Sequence, residues 1–415
     1  MAEYMQRTVG IVGGGPAGMM AAIYAVQNGA SVTLFEKNSY LGKKLGITGK
    51  GRCNVTNDCD GNEFLKNVIA NPKFLYAAIN NFTTSDTKDF FENLGVPLKT
   101  ERGRRVFPVS DKASDIVNAL KKCVFDYGVS VIYEKVTEIL SEGDTVTGVK
   151  TEKGKYSFDA VIIATGGASY PGTGSDGDGY RFAKSLGIDI SPVFPSLVPL
   201  ETKEDVSGIM GLSLKNVTLK ILDMEKNKVV FTELGEMMFT HFGLTGPLVL
   251  SASTHMRDMR AGKYMAYIDF KPALDTAELD KRVISDFSKN INRDFSNSLG
   301  NLLPSKIIPY IIERSGIAPD TKVTEITKAQ RRVFVELLKG LSLEITGFRP
   351  LREAIVTAGG ISVKEISPSD MSAKKYKGLY FCGEVIDVDA YTGGYNLQIA
   401  FSTGALAGTR AAWGE

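Results

Sequence analysis

The chain has 415 residues, 43% hydrophobic and 23% charged, with 49 basic and 47 acidic side chains for a net charge of +2. That length exceeds one simple core and points to two or three structural units of ordinary soluble composition. The balanced charge gives no broad field to attract nucleic acid or an anionic membrane. Its four cysteines (Cys53, Cys59, Cys123, Cys382) and two histidines (His241, His255) have no metal-ligand spacing, which fits a reducing cytoplasm.

Residues 9–26, VGIVGGGPAGMMAAIYAV, carry no charge and approach the length of a membrane span. Five glycines and a proline between Gly10 and Gly18 would break a spanning helix, and the flanking Glu3 and Arg7 do not make a signal-peptide leader. The segment reads as strand, turn, helix. Thr8–Val12 suits a buried parallel strand, Gly13-x-Gly15-x-x-Gly18 follows at once, and Gly29 closes the helix. Ser31–Phe35 supplies a second strand ending at Glu36. This is the dinucleotide-binding pattern in its full context. Gly13 permits the tight turn, Gly15 lets backbone approach a pyrophosphate, and Gly18 lets the helix pack on the sheet; the helix N-terminus faces the anion and Glu36 a ribose. The pattern alone does not separate NAD from FAD.

Residues 41–57 are rich in glycine and cations, with Gly42, Lys43, Lys44, Gly46, Gly49, Gly51 and Arg52 followed by Cys53 and Asn54. Glycines let backbone lie flat against a ligand, and three cations balance two phosphate charges. Residues 62–128 read as mainly helical, with Asp111 as the cap of a helix to 126. Arg102, Arg104 and Arg105 form a basic edge, solvated or anion-binding. Residues 129–158 alternate as a strand meander, and residues 159–164 form another buried strand ending in Thr165-Gly166-Gly167. A second G-x-G-x-x-G, Gly172 to Gly177, lacks the strand junction and the following acidic residue, so a separate NAD(P)H domain is not expected.

Residues 195–354 read as an inserted unit, with a β part (195–270 and 340–354) and a helical part (271–339). Strands are expected at 213–222, 228–231, 263–270 and 341–345. The first domain resumes at 355. Its strand 378–382 leads into Gly383-Glu384, and Thr392 to Gln398 open a helix from about Leu397 to Ala412.

The stretches GGGPAG, GKKLGITGKGRCNVTN, RVFPVSDKAS, FTHFGLTGP and FCGEVIDVDAYTGGYNLQIAFSTG resemble a bacterial FAD flavoprotein family of aminoacetone-oxidase-like and dehydro-bile-acid-reductase-like members. The resemblance implies an α/β fold, with a Rossmann-like, glutathione-reductase-like FAD domain in two pieces (1–194 and 355–415) and an inserted β-barrel-like plus helical substrate-side unit. It implies FAD contacts at Gly13, Gly15, Pro16, Ala17, Glu36, Lys37, Lys43, Lys44, Arg52, Cys53, Asn54, Ala164, Thr165, Gly166, Gly383, Glu384, Asn396, Leu397 and Gln398, and a backbone contact near adenine at Val136.

Flavin performs hydride chemistry, and the protein positions and tunes it. The amides of Asn396, Leu397 and Gln398 are expected to favour negative charge on the reduced ring. Candidates for proton transfer are His241, Tyr170, Tyr391, Tyr395 and Arg105. The leading expectation is a cytoplasmic FAD-dependent reductase of a small unsaturated carbonyl compound, with NAD(P)H as an external electron donor and no nucleic-acid or membrane partner. A peroxide-producing amine oxidase, a tRNA-modifying flavoprotein and a non-catalytic flavoprotein are the alternatives.

Overall fold

The computed structural model describes residues 6–414, which divide into two compact units, one running to Ser196 and resuming at Leu351, the other Leu197–Pro350. In the first unit, β1 (Thr8–Val12) is followed by α1 (Pro16–Gln27) and β2 (Ser31–Phe35). Pro16 occupies the first helical turn, where a missing N–H costs nothing, and Asn28 and a left-handed Gly29 (φ +89°) end the helix. The apolar, β-branched strand β1 is buried and pairs in parallel with β2 on one side.

The next hundred residues decorate this start. They comprise β3 (Thr56–Asn57), α2 (Gly61–Lys66), α3 (Tyr76–Asn81), α4 (Thr84–Asn93), β4 (Leu98–Glu101), β5 (Arg105–Pro108) and α5 (Ala113–Asp126). The region is less helical than expected, because β3, β5 and β4 form a three-stranded antiparallel sheet. Asp111 does not cap α5. Lys112 takes the N-cap position, and the Asp111 carboxylate instead accepts from Arg52 Nε (2.9 Å) and Lys99 Nζ (2.8 Å). The charged partners outbid a capping bond worth about 1 kcal/mol.

Of the expected meander, β6 (Ser130–Ile132) pairs with β2, while β7 (Val136–Glu142), β8 (Thr145–Thr151) and β9 (Lys155–Ser157) make a separate antiparallel sheet. Strand β10 (Ala160–Ile163) then lies on the other side of β1. It is followed by α6 (Asp178–Ser185) and β11 (Ile190–Ser196).

The second unit is a closed barrel with helices. Its strands are β12 (Leu200–Thr202), β13 (Ser213–Asp223), β14 (Lys228–Phe239), β15 (Gly243–Thr245), β16 (Tyr264–Asp269) and β17 (Leu341–Phe348), closed in the order β12-β15-β14-β13-β16-β17. Inward rows such as Leu219 and Ile221, Ala266 and Ile268, and Leu343 and Ile345 are fully buried, the period-2 signature of a filled barrel. Strand β14 runs eight residues beyond the expected Phe231. Helix α7 (Pro247–Ser253) follows β15, and α8 (Thr276–Ser288), α9 (Ile308–Ser315) and α10 (Lys328–Lys339) precede β17. Capping boxes at Asp275/Glu278 and Thr327/Gln330 start α8 and α10.

The chain then returns to the first unit with β18 (Val356–Ile361), β19 (Leu379–Phe381) and α11 (Tyr395–Trp413). β18 pairs with β11. β19 completes an all-parallel sheet ordered β19-β10-β1-β2-β6. Helix α11 lies on α1 so closely that a Cβ on Gly404 or Gly408 would fall 2.4 Å from Ala17 O or 2.2 Å from Ala21 O. It starts two residues earlier than expected because Gly393 and Gly394 (φ +123° and +97°) turn the chain sharply into it. Among the described residues no helix is long and apolar enough to cross a membrane, so residues 9–26 are strand, turn and helix.

Candidate functional site

The carboxyl ends of β1, β10 and β19 are neighbours, the edge of a parallel sheet where ligands bind in such folds. At β1, Gly13 adopts φ +113° and its N–H donates to Phe35 O (2.8 Å). A Cβ on Gly18 would meet Gly13 O at 1.8 Å, so only glycine lets α1 sit this close to the turn. Gly15 differs: nothing lies within 4 Å of the place its Cβ would take. The first intrahelical bond runs from Met19 N to Gly15 O, so the amides of Ala17 and Gly18 have no acceptor within the helix, and Pro16 has no N–H. Glu36, 7% exposed at the end of β2, accepts from Gly14 N (2.9 Å) through one oxygen and from Asn38 N (2.7 Å) through the other.

At β10, Ala164 is buried, and Thr165 and left-handed Gly166 follow it. Thr165 Oγ1 and Ser175 Oγ are buried with no hydrogen-bond partner among the described residues, and a Cβ on Gly166 would lie 2.9 Å from Ser175 Oγ. At β19, Gly383 (φ +77°) donates its N–H to Thr403 Oγ1 (2.9 Å) on α11. Glu384 accepts from Lys44 Nζ (2.7 Å), Ser169 Oγ (3.1 Å) and Thr357 N (2.9 Å). One carboxylate thus ties together four chain segments. The open face of Gly15, the free amides of α1 and the orphaned hydroxyls beside Gly166 fit a phosphate-bearing dinucleotide such as FAD, since a buried polar atom left unpaired costs about 1–3 kcal/mol until something satisfies it.

The segment that follows β2 is strained. Gly49, Lys50, Gly51 and Cys53 all have φ between +57° and +84°. Gly51 faces open space. The expected phosphate cations are mostly engaged elsewhere: Lys37 with Asp176 and Asp178 (both 2.6 Å), Lys44 with Glu384, and Arg52 with Glu101 (2.5 Å) and Asp111 (2.6 Å) while it stacks on the Phe107 ring at 4.2 Å. Among the described residues Lys43 reaches only Asn38 Oδ1, at 3.4 Å. Asn54, with its amide oriented to satisfy both ends, accepts from Gly394 N (3.0 Å) and so joins this segment to the start of α11.

At α11, Gln398 N closes the first turn on Gly394 O (3.1 Å), leaving the amides of Tyr395, Asn396 and Leu397 without helical acceptors. The Gln398 side chain, fully buried, is consumed by Thr56, Thr87, Phe82 O and Ser402. Asn396 is likewise spent on the turn before it, accepting from Ala390 N and donating to Ala390 O. Their side chains build the helix start, and only backbone amides remain to face a ligand. Val136 lies buried at the start of β7, paired with Thr151.

The proton-transfer candidates scatter. Tyr391 and Tyr395 flank the Gly393–Gly394 turn. Tyr391 is half-buried, its main chain pinned by Tyr391 N to Asn67 O (3.0 Å) and by Asn396 Nδ2 to Tyr391 O (3.2 Å). Tyr395 is buried edge-on against Phe64, and burial pushes its hydroxyl up to about 12. Tyr170 sits exposed on a left-handed turn, and Arg105 is exposed in a hairpin. His241 belongs to the barrel unit, exposed beside Phe242.

Burial pushes Cys53 up to about 12 and Cys59 and Cys123 to about 11, and it raises Cys382 as well. All four are free and buried. The native protein is therefore expected to give almost no reaction with a thiol reagent at pH 8, and the denatured chain four equivalents; rapid labelling of the native state at Cys53 would contradict this packing.

Sequence reasoning missed Ser169, Thr357, Thr403 and Asn57. Each is a short polar side chain whose partner is distant in sequence, so no local pattern announces it.

The HI0933-like protein Rossmann domain family matches residues 7–410. The chain is 31% identical over 414 residues to the 3-dehydro-bile acid delta(4,6)-reductase of Clostridium scindens, covering 97% of this chain and 98% of the relative. It is 30% identical over 401 residues to the ribosomal RNA dihydrouridine synthase of Escherichia coli, covering 95% of each. In fold it is similar to the 3-ketosteroid-delta4-(5alpha)-dehydrogenase of Rhodococcus jostii RHA1, with a TM-score of 0.53 at 15% identity over 99% of this chain and 98% of that one.

Proposed function

The chain belongs to the HI0933-like Rossmann-domain family and is an FAD-dependent oxidoreductase, and from that premise we propose that it reduces a carbon–carbon double bond conjugated to a carbonyl. The observation that carries the reading is near full-length similarity to two enzymes whose names each describe saturation of such a bond: a delta(4,6)-reductase of a 3-dehydro bile acid, and a synthase of dihydrouridine. Bound FAD would supply the two-electron carrier. The chain's own work is to bind and to aim. Gly15 and the free amides of α1 would hold the phosphates, Glu36 a ribose, and Gly166 and Glu384 the middle of the molecule. The unpaired amides of Tyr395, Asn396 and Leu397 would favour negative charge on the ring. NAD(P)H would act as an external donor.

Reduction of such a bond needs a proton at the carbon next to the carbonyl. We assign its delivery to Tyr391, which is half-buried and held by main-chain bonds on both sides, and give Tyr395 a packing role against Phe64. Photoreduced holoenzyme mixed anaerobically with a conjugated enone should reoxidise rapidly, and Y391F should slow this by about a hundredfold with FAD retention unchanged. A native rate in Y391F would remove the tyrosine. Indifference to every enone, with reoxidation by dioxygen and release of peroxide, would favour an amine oxidase.

A second reading, reduction of a uridine within RNA, is favoured by the Escherichia coli relative. It reverses the expectation of no nucleic-acid partner and is tested by replacing the enone with a ribosomal RNA fragment and measuring dihydrouridine formed.

A further inference from the structure

The tip of the β4–β5 hairpin carries Arg102, Arg104 and Arg105 around Gly103, all exposed. Among the described residues none of the three has a carboxylate within ion-pair distance, whereas Lys99 of β4 and the nearby Arg52 and Lys88 do. Arg52 takes Glu101 and Asp111, Lys99 takes Asp111, and Lys88 takes Asp58 (2.5 Å). The nearby carboxylates are thus committed to other ion pairs, and three positive charges fall within four residues; Arg104 acts on the Asp58 carboxylate from beyond ion-pair distance. Like charges this close repel, and the repulsion is relieved by a bound anion. The tip is also held in shape. Arg104 adopts φ +58°, its carbonyl accepts from Asp58 N (2.7 Å), and Arg105 Nε donates to Arg102 O (3.0 Å).

Its position gives this charge a use. The amide of Asn57, 2% exposed, donates both to Gly103 O (3.1 Å) and to Gly393 O (3.0 Å). One buried side chain therefore couples the arginine tip to the turn that opens α11 and is flanked by Tyr391 and Tyr395. The unpaired N–H groups of α11 add to the positive potential there.

Resting on the reductase reading, we propose that the hairpin tip binds an oxyanion of the substrate, at a distance from the reducible bond, so that the enzyme selects anionic over neutral conjugated carbonyl compounds. Guanidinium groups suit carboxylate and phosphate alike by paired N–H donors. A carboxylate on a small molecule and a phosphodiester of RNA are the two sources of that chemistry.

The test compares native holoenzyme with R102Q/R104Q. Photoreduced protein is mixed anaerobically with an enone carrying a carboxylate and, separately, with its methyl ester. Binding of fluorescein-labelled oligouridylate to the oxidised holoenzyme is followed by anisotropy at two salt concentrations. A small-molecule source predicts about a tenfold preference for the acid over the ester in kcat/KM, falling to near one in the variant. An RNA source predicts salt-dependent oligouridylate binding, weakened about tenfold in the variant. The melting temperature should hold, since neither arginine is ion-paired. If the substitutions change neither the acid-to-ester ratio nor the oligouridylate affinity, the proposal is overturned. If neither enone reoxidises the protein, the reductase reading fails separately. Equilibrium binding of the acid and of oligouridylate then decides the role of the tip, equal affinity for native and variant ruling it out.

Discussion

Gly15→Glu is expected to yield a folded protein that emerges from purification without FAD. The reasoning separates two glycines of one motif. At Gly15 the backbone has φ −79° and ψ −176°, open to any residue, and no atom lies within 4 Å of an added Cβ. A side chain is therefore tolerated by the apo fold, but it projects where the free amides of α1 await an anion, and a carboxylate there repels the pyrophosphate. Visible absorbance per chain should fall at least about twentyfold, with the apo melting temperature within ~2 °C of native, as for surface substitutions. Gly18→Ala should fail differently. Its Cβ would stand 1.8 Å from Gly13 O, so the helix must move and the whole unit is destabilised. A Gly15→Glu protein that stays yellow with native FAD content would mean that the cofactor is held elsewhere.

The second large effect lies far along the sequence. Gly404→Ala combined with Gly408→Ala should destabilise the first unit by roughly 3–5 kcal/mol, in the range of severe core overpacking at two sites, and should lower FAD affinity in the same step. The added methyl groups would lie 2.4 and 2.2 Å from backbone oxygens of Ala17 and Ala21. Backbone cannot step aside as a flexible side chain does, so α11 must separate from α1. Both helices begin with amides that have no helical acceptor, the groups proposed to hold FAD, and Thr403 of α11 also holds Gly383 N. Denaturant unfolding of the double variant alongside FAD titration checks both parts. Native stability would show that the helices are less tightly apposed than described.

Legibility from sequence followed the range of the interactions. The β1–α1–β2 motif was readable because its glycines, its apolar strands and Glu36 act within about thirty residues, and there the elements agree with expectation to within a residue. The barrel was readable as β structure from alternation in Ser213–Leu222 and Leu341–Ile345, though its closure is a matter of long-range pairing that periodicity does not carry. The β4–β5 hairpin hid between helices because its strands are four residues each. Asp111 looked like a helix cap from its position alone; the fold brought Arg52, 59 residues away, to claim it. Lys44, Arg52 and Gln398 were visible as polar residues in stretches expected to face a ligand, but not their partners Glu384, Glu101 and Thr87. Chemistry by residue type was legible, and its assignment to ligand or to protein was not.

The late return of the chain has a consequence for biosynthesis. The barrel unit, Leu197–Pro350, is contiguous and has all its strands once residue 350 has left the ribosome. The parallel sheet by then still lacks its edge strand β19, and α1 lacks the helix that covers it, because both lie beyond residue 378. Domains fold as units during synthesis at about 5–20 residues per second, so the barrel unit is free to mature while the apolar face of α1 stays uncovered until α11 is made. Assembly of the first unit is therefore delayed until α11 has been made, and chaperone demand should concentrate on the nascent β1–α1–β2 segment.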